Sequence, residues 1–244
     1  MTPPFKSFLR LLSLTTAASA CLAPVFGEGF KPTSVNAKML YDFRTLDSVE
    51  DWIESSDTVR TPGKSKAVFT LQFVVDTVKN IVLPRRLHKL IEEINSGFVQ
   101  KTREFQRGVF FSLLNPQPNG AGFAGAASRR RWDLKGNTGL ELRVRAQGDC
   151  DTYKLVLYHK DQAPSTGACA YEVFFTLPLL EWTSVQLPFD DFQPYYRGAP
   201  CNNSEPLDVS FISSVGIQVA GGVYREKKQK GASALEIEYL STYK

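Results

Sequence analysis

From about residue 108 onward, apolar side chains recur at every second position rather than every third or fourth. Leu140, Leu142 and Val144 alternate with Glu141, Arg143 and Arg145; Val209, Phe211, Val215, Ile217 and Val219 hold odd positions; Leu235, Ile237 and Tyr239 alternate with Glu236 and Glu238. Only extended backbone sends successive side chains to opposite sides, so each segment reads as a strand with one apolar and one wet face. Residues 153–159, 171–177 and 182–187 are further β-branched or aromatic runs bounded by Gly, Pro, Asp or Asn. Many short strands separated by turn residues predict an all-β, antiparallel sandwich or barrel, and the lack of alternating helical segments argues against a doubly wound α/β fold. The Gly-rich stretch at 120–125 opens no helix, so it reads as tight strand packing rather than a phosphate loop.

The 244 residues suffice for one domain with a continuous core, and the net charge of +4 gives no general reason to expect nucleic-acid binding. Two histidines, His88 and His159, and four cysteines are too few and too scattered for a structural zinc site, so no metal or cofactor is expected. Catalysis has little support. Asp190-Asp191 and Glu92-Glu93 are adjacent and, in a strand, would face opposite ways; His159 has no nucleophile motif near it.

Residues 1–27 lack acidic side chains, carry Lys6 and Arg10 early and continue into an apolar run ending in small residues. This matches a cleavable secretory signal, with a mitochondrial presequence as the alternative, and it is too short for a convincing membrane span. Its removal would take Cys21 and leave Cys150, Cys169 and Cys201. Asn202-Asn203-Ser204 is a sequon in a polar loop, which makes Asn202 a candidate glycan site in a secreted protein. One stretch, about 73–100, departs from the period of two. Leu83-Pro84 is followed by Leu87, Leu90, Ile91 and Ile94 at helical spacing and by Asn95-Ser96-Gly97, an amphipathic helix that either docks on the surface or binds a partner.

Ordered segments from residue 41 nearly to the end resemble the complex I intermediate-associated protein 30 family. They are Asp42-Phe43, Trp52, Ser56-Asp57-Thr58-Val59, Gly63-Lys64-Ser65, Gly122-Phe123-Ala124-Gly125, Asp133-Leu134, the run from Gly139 to Arg145, Tyr153-Lys154, Trp182, Leu187-Pro188-Phe189, Phe192-Gln193-Pro194, Arg197-Gly198 and Ser214-Val215-Gly216-Ile217. The resemblance implies a galactose-binding-like jelly-roll β-sandwich and a non-catalytic role as an assembly factor that binds immature subunits of respiratory complex I. The family pattern would pass from Leu71-Gln72 almost directly to Lys101-Thr102-Arg103, so the helical stretch resembles an insertion.

If consecutive strands run antiparallel, the loops at 115–120, 148–152, 177–181 and 220–233 share one end of the sandwich, and those at 128–138, 160–169 and 188–208 share the other. The second end gathers Arg129, Arg130, Arg131, Trp132, Tyr195, Tyr196 and Arg197. Such rings and guanidinium groups stack on sugars or anchor protein partners, although a solvated charge run beside structural aromatics has the same composition. The same counting makes Cys169 and Cys201 the feasible bridge in an oxidising compartment and leaves Cys150 reduced. The expectation is therefore one β-sandwich over residues 38–244 that binds a protein or a glycan: an assembly factor first, a secreted carbohydrate- or glycoprotein-binding module second.

Overall fold

A computed structural model describes residues 32, 37–59, 61–75, 104–118, 122–163, 166–202, 204–223 and 225–244. The strands are β1 (Met39–Asp42), β2 (Trp52–Glu54), β3 (Lys66–Val75), β4 (Glu104–Leu114), β5 (Phe123–Ser128), β6 (Gly139–Gly148), β7 (Thr152–His159), β8 (Ala170–Thr176), β9 (Trp182–Pro188), β10 (Gln193–Tyr196), β11 (Ala199–Pro200), β12 (Ile212–Ala220) and β13 (Gly231–Tyr243). They form two antiparallel sheets: six strands in the order β3-β4-β13-β6-β9, with β1 beside β13, and seven in the order β11-β10-β8-β7-β12-β5-β2. The all-β sandwich read from the sequence is the fold. The expected leader and the amphipathic helix lie outside the described residues. Strand β3 continues through Val75, which pairs with Glu104 of β4.

The period of two builds the core. Leu140, Leu142 and Val144 from β6, Leu155 and Leu157 from β7, Val215, Ile217 and Val219 from β12, and Leu235 and Ile237 from β13 are buried between the sheets. Each such side chain contributes about 2 kcal/mol on removal from water. Val209–Phe211, expected at the start of a strand, instead forms a short 3-10 turn, because Asp208 caps it by accepting a hydrogen bond from the Ser210 backbone N–H. Gly125 meets the expected tight packing: a Cβ there would lie 2.2 Å from Gln218 Cγ.

The polar stripe of the six-stranded sheet is not wet, contrary to expectation. Glu141 is fully buried and accepts hydrogen bonds from the Tyr239 hydroxyl at 2.8 Å and from Gln186 Nε2 at 2.9 Å. Glu236 is paired with Arg107, Arg145 and Gln147, and its side chain is 6% exposed. The guanidinium groups of Arg107, Arg143 and Arg145 lie 5.8, 6.0 and 5.2 Å from the Trp182 ring centre. Long side chains on neighbouring strands lie flat and cover one another, so a residue pointing away from the core is still shielded from water.

At one end, 149–151 and 177–181 meet through Leu177 N–H and the Asp151 carbonyl at 2.9 Å, and Gly221 donates to the Gly122 carbonyl at 2.8 Å. At the other, Leu134 donates to Val209 at 2.8 Å and Lys160 to Phe211 at 2.9 Å. This second end carries the candidate side chains.

Candidate functional site

Residues 129–132 lead out of β5 to an isolated bridge between Trp132 and Ile212, and their alternate side chains divide this cluster in two. Arg130 and Trp132 turn toward the amino-terminal segment. Arg130 pairs with Asp51 at 2.9 Å and lies over the Tyr41 ring; Trp132 is partly buried, edge-on to Tyr41 with ring centres 5.8 Å apart, and exchanges backbone hydrogen bonds with Ile212. Arg129 and Arg131 turn to the outward face of the seven-stranded sheet. Arg131 grips the Asp161 carboxylate through two hydrogen bonds of 3.0 and 2.7 Å, while Arg129 is exposed and has no ion-pair partner among the described residues.

Tyr195, Tyr196 and Arg197 belong to the β10–β11 hairpin. Its turn is Arg197-Gly198, both at positive φ (52° and 82°), the geometry of a two-residue turn matched to strand twist. The Arg197 guanidinium lies 5.1 Å from the Tyr196 ring centre, and Tyr195 meets Phe174 edge-on at 6.1 Å. Cys201, just past the hairpin, is bonded to Cys169 before β8, with Cα atoms 6.5 Å apart; Cys150 is a buried free thiol at the opposite end. Asn202 is exposed beside this bridge.

Between the two groups lie side chains that the sequence reading passed over. Leu155, Leu157 and His159 point inward, so Lys154, Val156 and Tyr158 point outward. Lys154 is ion-paired with Glu172 of β8 at 2.7 Å, both side chains 8% exposed; burial lowers the Lys154 pKa, and the Glu172 charge opposes that shift. Tyr158 has its pKa raised to about 12 by burial and then by the charges of Glu172 and Tyr196, so it stays a neutral hydroxyl. An open concavity of about 340 Å³ is lined by Arg129, Arg131, Tyr158, Asp161, Gln162, Ala163, Ser213 and Ser214. The structure thus joins Arg129 and Arg131 to the Tyr195–Tyr196 hairpin by way of Tyr158 and sets Arg130 and Trp132 apart. The even positions of β7 were the available signal.

His159 is buried against Tyr171, and its Nδ1 accepts a hydrogen bond from the Asp208 backbone N–H at 2.7 Å. Burial holds its pKa below the ordinary 6.5, against the opposing pull of the Glu205 carboxylate. A histidine kept neutral in the fold takes its proton first in the unfolded chain, so stability is full above 6.5 and falls as the pH drops toward the folded pKa. The urea midpoint should therefore decrease between about pH 7 and pH 5, and His159→Asn, which keeps an acceptor, should flatten that decrease. An equally steep decline in the variant would remove His159 as the cause. Asp190 and Asp191 are exposed in a 3-10 turn (Phe189–Asp191) rather than in a strand, so the opposite-face argument does not describe them. Among the described residues no cluster of three or more His, Cys, Asp or Glu is placed to hold a metal ion, and no helix is long and apolar enough to cross a membrane.

Two antiparallel sheets around one core define a β-sandwich. Two solved structures share it: a family 11 carbohydrate-binding module from Clostridium thermocellum in complex with a β-1,3-1,4-mixed-linked tetrasaccharide (TM-score 0.51, 13% identity, 85% of this chain and 95% of that one), and the family 11 module of the cellulosomal cellulase Lic26A-Cel5E of the same organism (TM-score 0.51, 12% identity, 86% and 95%). At these identities the likeness concerns the fold alone. Residues 41–237 match the complex I intermediate-associated protein 30 family, CIA30, and the chain belongs to it. An uncharacterized protein of Schizosaccharomyces pombe, C9E9.15, is 34% identical over 123 residues, covering 46% of this chain and 55% of that protein, so the chain spans little more than half the length of this curated relative.

Proposed function

We propose that this protein is a non-catalytic binding protein that holds an unassembled protein partner, in the manner of a complex I assembly factor. The observation that carries the reading is the family match, which spans almost the entire described sandwich. The binding surface is the outward face of the seven-stranded sheet with its adjoining loops, where Arg129, Tyr195, Tyr196 and Arg197 offer rings and guanidinium groups on pinned backbone. The test is made in cells lacking the chain. Immature complex I intermediates should accumulate there, and the restored, tagged protein should migrate with them; normal complex I and no such association would refute the reading.

A second reading is a glycan-binding module, favoured by the polar, ring-walled concavity between Arg129 and Tyr158. The two readings predict different destinations. Following a tagged chain with and without residues 1–27 separates them: mitochondrial import supports the first, and secretion with a glycosidase-sensitive mass shift at Asn202 supports the second.

A further inference from the structure

Large and small side chains alternate across the outward face of the seven-stranded sheet. Arg129 stands just past β5, Ser214 follows on β12, Tyr158 on β7, Ala170 on β8 and Tyr195 on β10; Ser214 is paired with Tyr158, and Ala170 with Tyr195. Ser214 and Ala170 are small and buried, so they sit low in the row between three taller side chains. Ser214 lines the concavity of about 340 Å³, at the low end of the range of roughly 300–1,000 Å³ usual for ligand pockets.

The lining of this concavity has a specific chemistry. Ser213 is 8% exposed, and its Oγ is buried without a hydrogen-bond partner in the protein. A ligand group bonding to it would give that hydroxyl the partner it lacks in the protein. At the rim, the Asp161 carboxylate is held in place by Arg131, and Gln162 adds an amide. The paired Arg131–Asp161 charges offset each other, and Arg129, with no ion-pair partner among the described residues, adds a guanidinium donor to the same lining. Tyr158 presents an aromatic wall that stays uncharged.

Fixed donors and acceptors, a guanidinium fork among them, beside an aromatic wall fit a ligand with many hydroxyls and an apolar ring face. We propose that this pocket takes one ring of a neutral saccharide, with its C–H face on Tyr158 and its hydroxyls on Ser213, Asp161 and Gln162, and that the chain continues over Ala170 to Tyr195. The three strand spacings from Ser214 to Tyr195 cover about 14 Å, the length of roughly three sugar rings. The proposal rests on the second reading above and names its ligand and its site.

The experiment is calorimetric titration of the folded protein with neutral β-glucan, galactan and mannan tetrasaccharides and with one sulfated tetrasaccharide. At least one neutral chain should bind saturably. Tyr158→Ala should weaken it by about tenfold or more, and Tyr158→Phe, which keeps the ring, by no more than about threefold. Absence of binding by every neutral chain, binding confined to the sulfated one, or unchanged affinity in a Tyr158→Ala protein with native circular dichroism and melting overturns the assignment. Capture of complex I intermediates is measured on the same proteins. If sugar binding is absent while that capture persists, the saccharide site falls and the assembly reading stands.

Discussion

Glu236→Ala should destabilise the protein by about 3 kcal/mol, because it removes the carboxylate that lies between the largely shielded guanidinium groups of Arg107 and Arg145, although the Glu238 charge still acts on Arg107. Glu236 sits mid-strand in β13, flanked by β4 and β6, and all three of its polar partners reach it sideways across the sheet. Glu236→Gln keeps the shape and part of the hydrogen bonding but loses the charge, and should cost roughly half as much. Urea denaturation with an unchanged m-value is the measurement. A loss below about 1 kcal/mol for the alanine variant would mean that water already reaches the arginines and that the clamp is an ordinary surface ion pair.

The second large effect concerns Asp57. Its carboxylate is fully buried, receives the Ser65 backbone N–H and hydroxyl, both at 2.8 Å, and takes a longer hydrogen bond from the Phe123 backbone N–H at 3.3 Å. One side chain thereby fastens the loop before β3 to the start of β5. Asp57→Ala should cost about 3 kcal/mol, since it strands buried donors as well as removing the bonds themselves. Gly63→Ala is an independent probe of the same loop, because a Cβ there would lie 2.0 Å from the Asp57 carbonyl oxygen. Near-wild-type melting of both variants would show that the loop contributes little to the folded state.

These two carboxylates mark where sequence reading succeeds and where it stops. The alternation in β6, β12 and β13 was legible because a period of two is a property of single strands, and the sheet class followed from it, but a bulge after Ile237 turns Tyr239, expected on the apolar face, outward to Glu141. The environment of Glu236 was not, since shielding of an outward side chain depends on which strands flank it, and β4 and β6 are far from β13 in sequence. Asp57 stands in a motif that resembles the family pattern, yet its partners Ser65 and Phe123 meet it only in the folded loop. For the candidate site, counting strand reversals put the arginines and tyrosines at one end, but the count does not tell which way each side chain turns. Arg129 and Arg131 therefore separated from Arg130 and Trp132 only when the backbone was in place, and Tyr158, between the groups, was read as strand alone.

The pairing of Val75 with Glu104 has an evolutionary consequence. Two strands already zipped to their last residues hold the ends of whatever joins them within one ladder rung, and closing a longer loop adds only about 0.6 kcal/mol for each doubling of its length. That rung is thus a tolerant splice point: sequence can be gained or lost there while the two-sheet architecture around it is left to selection for other purposes.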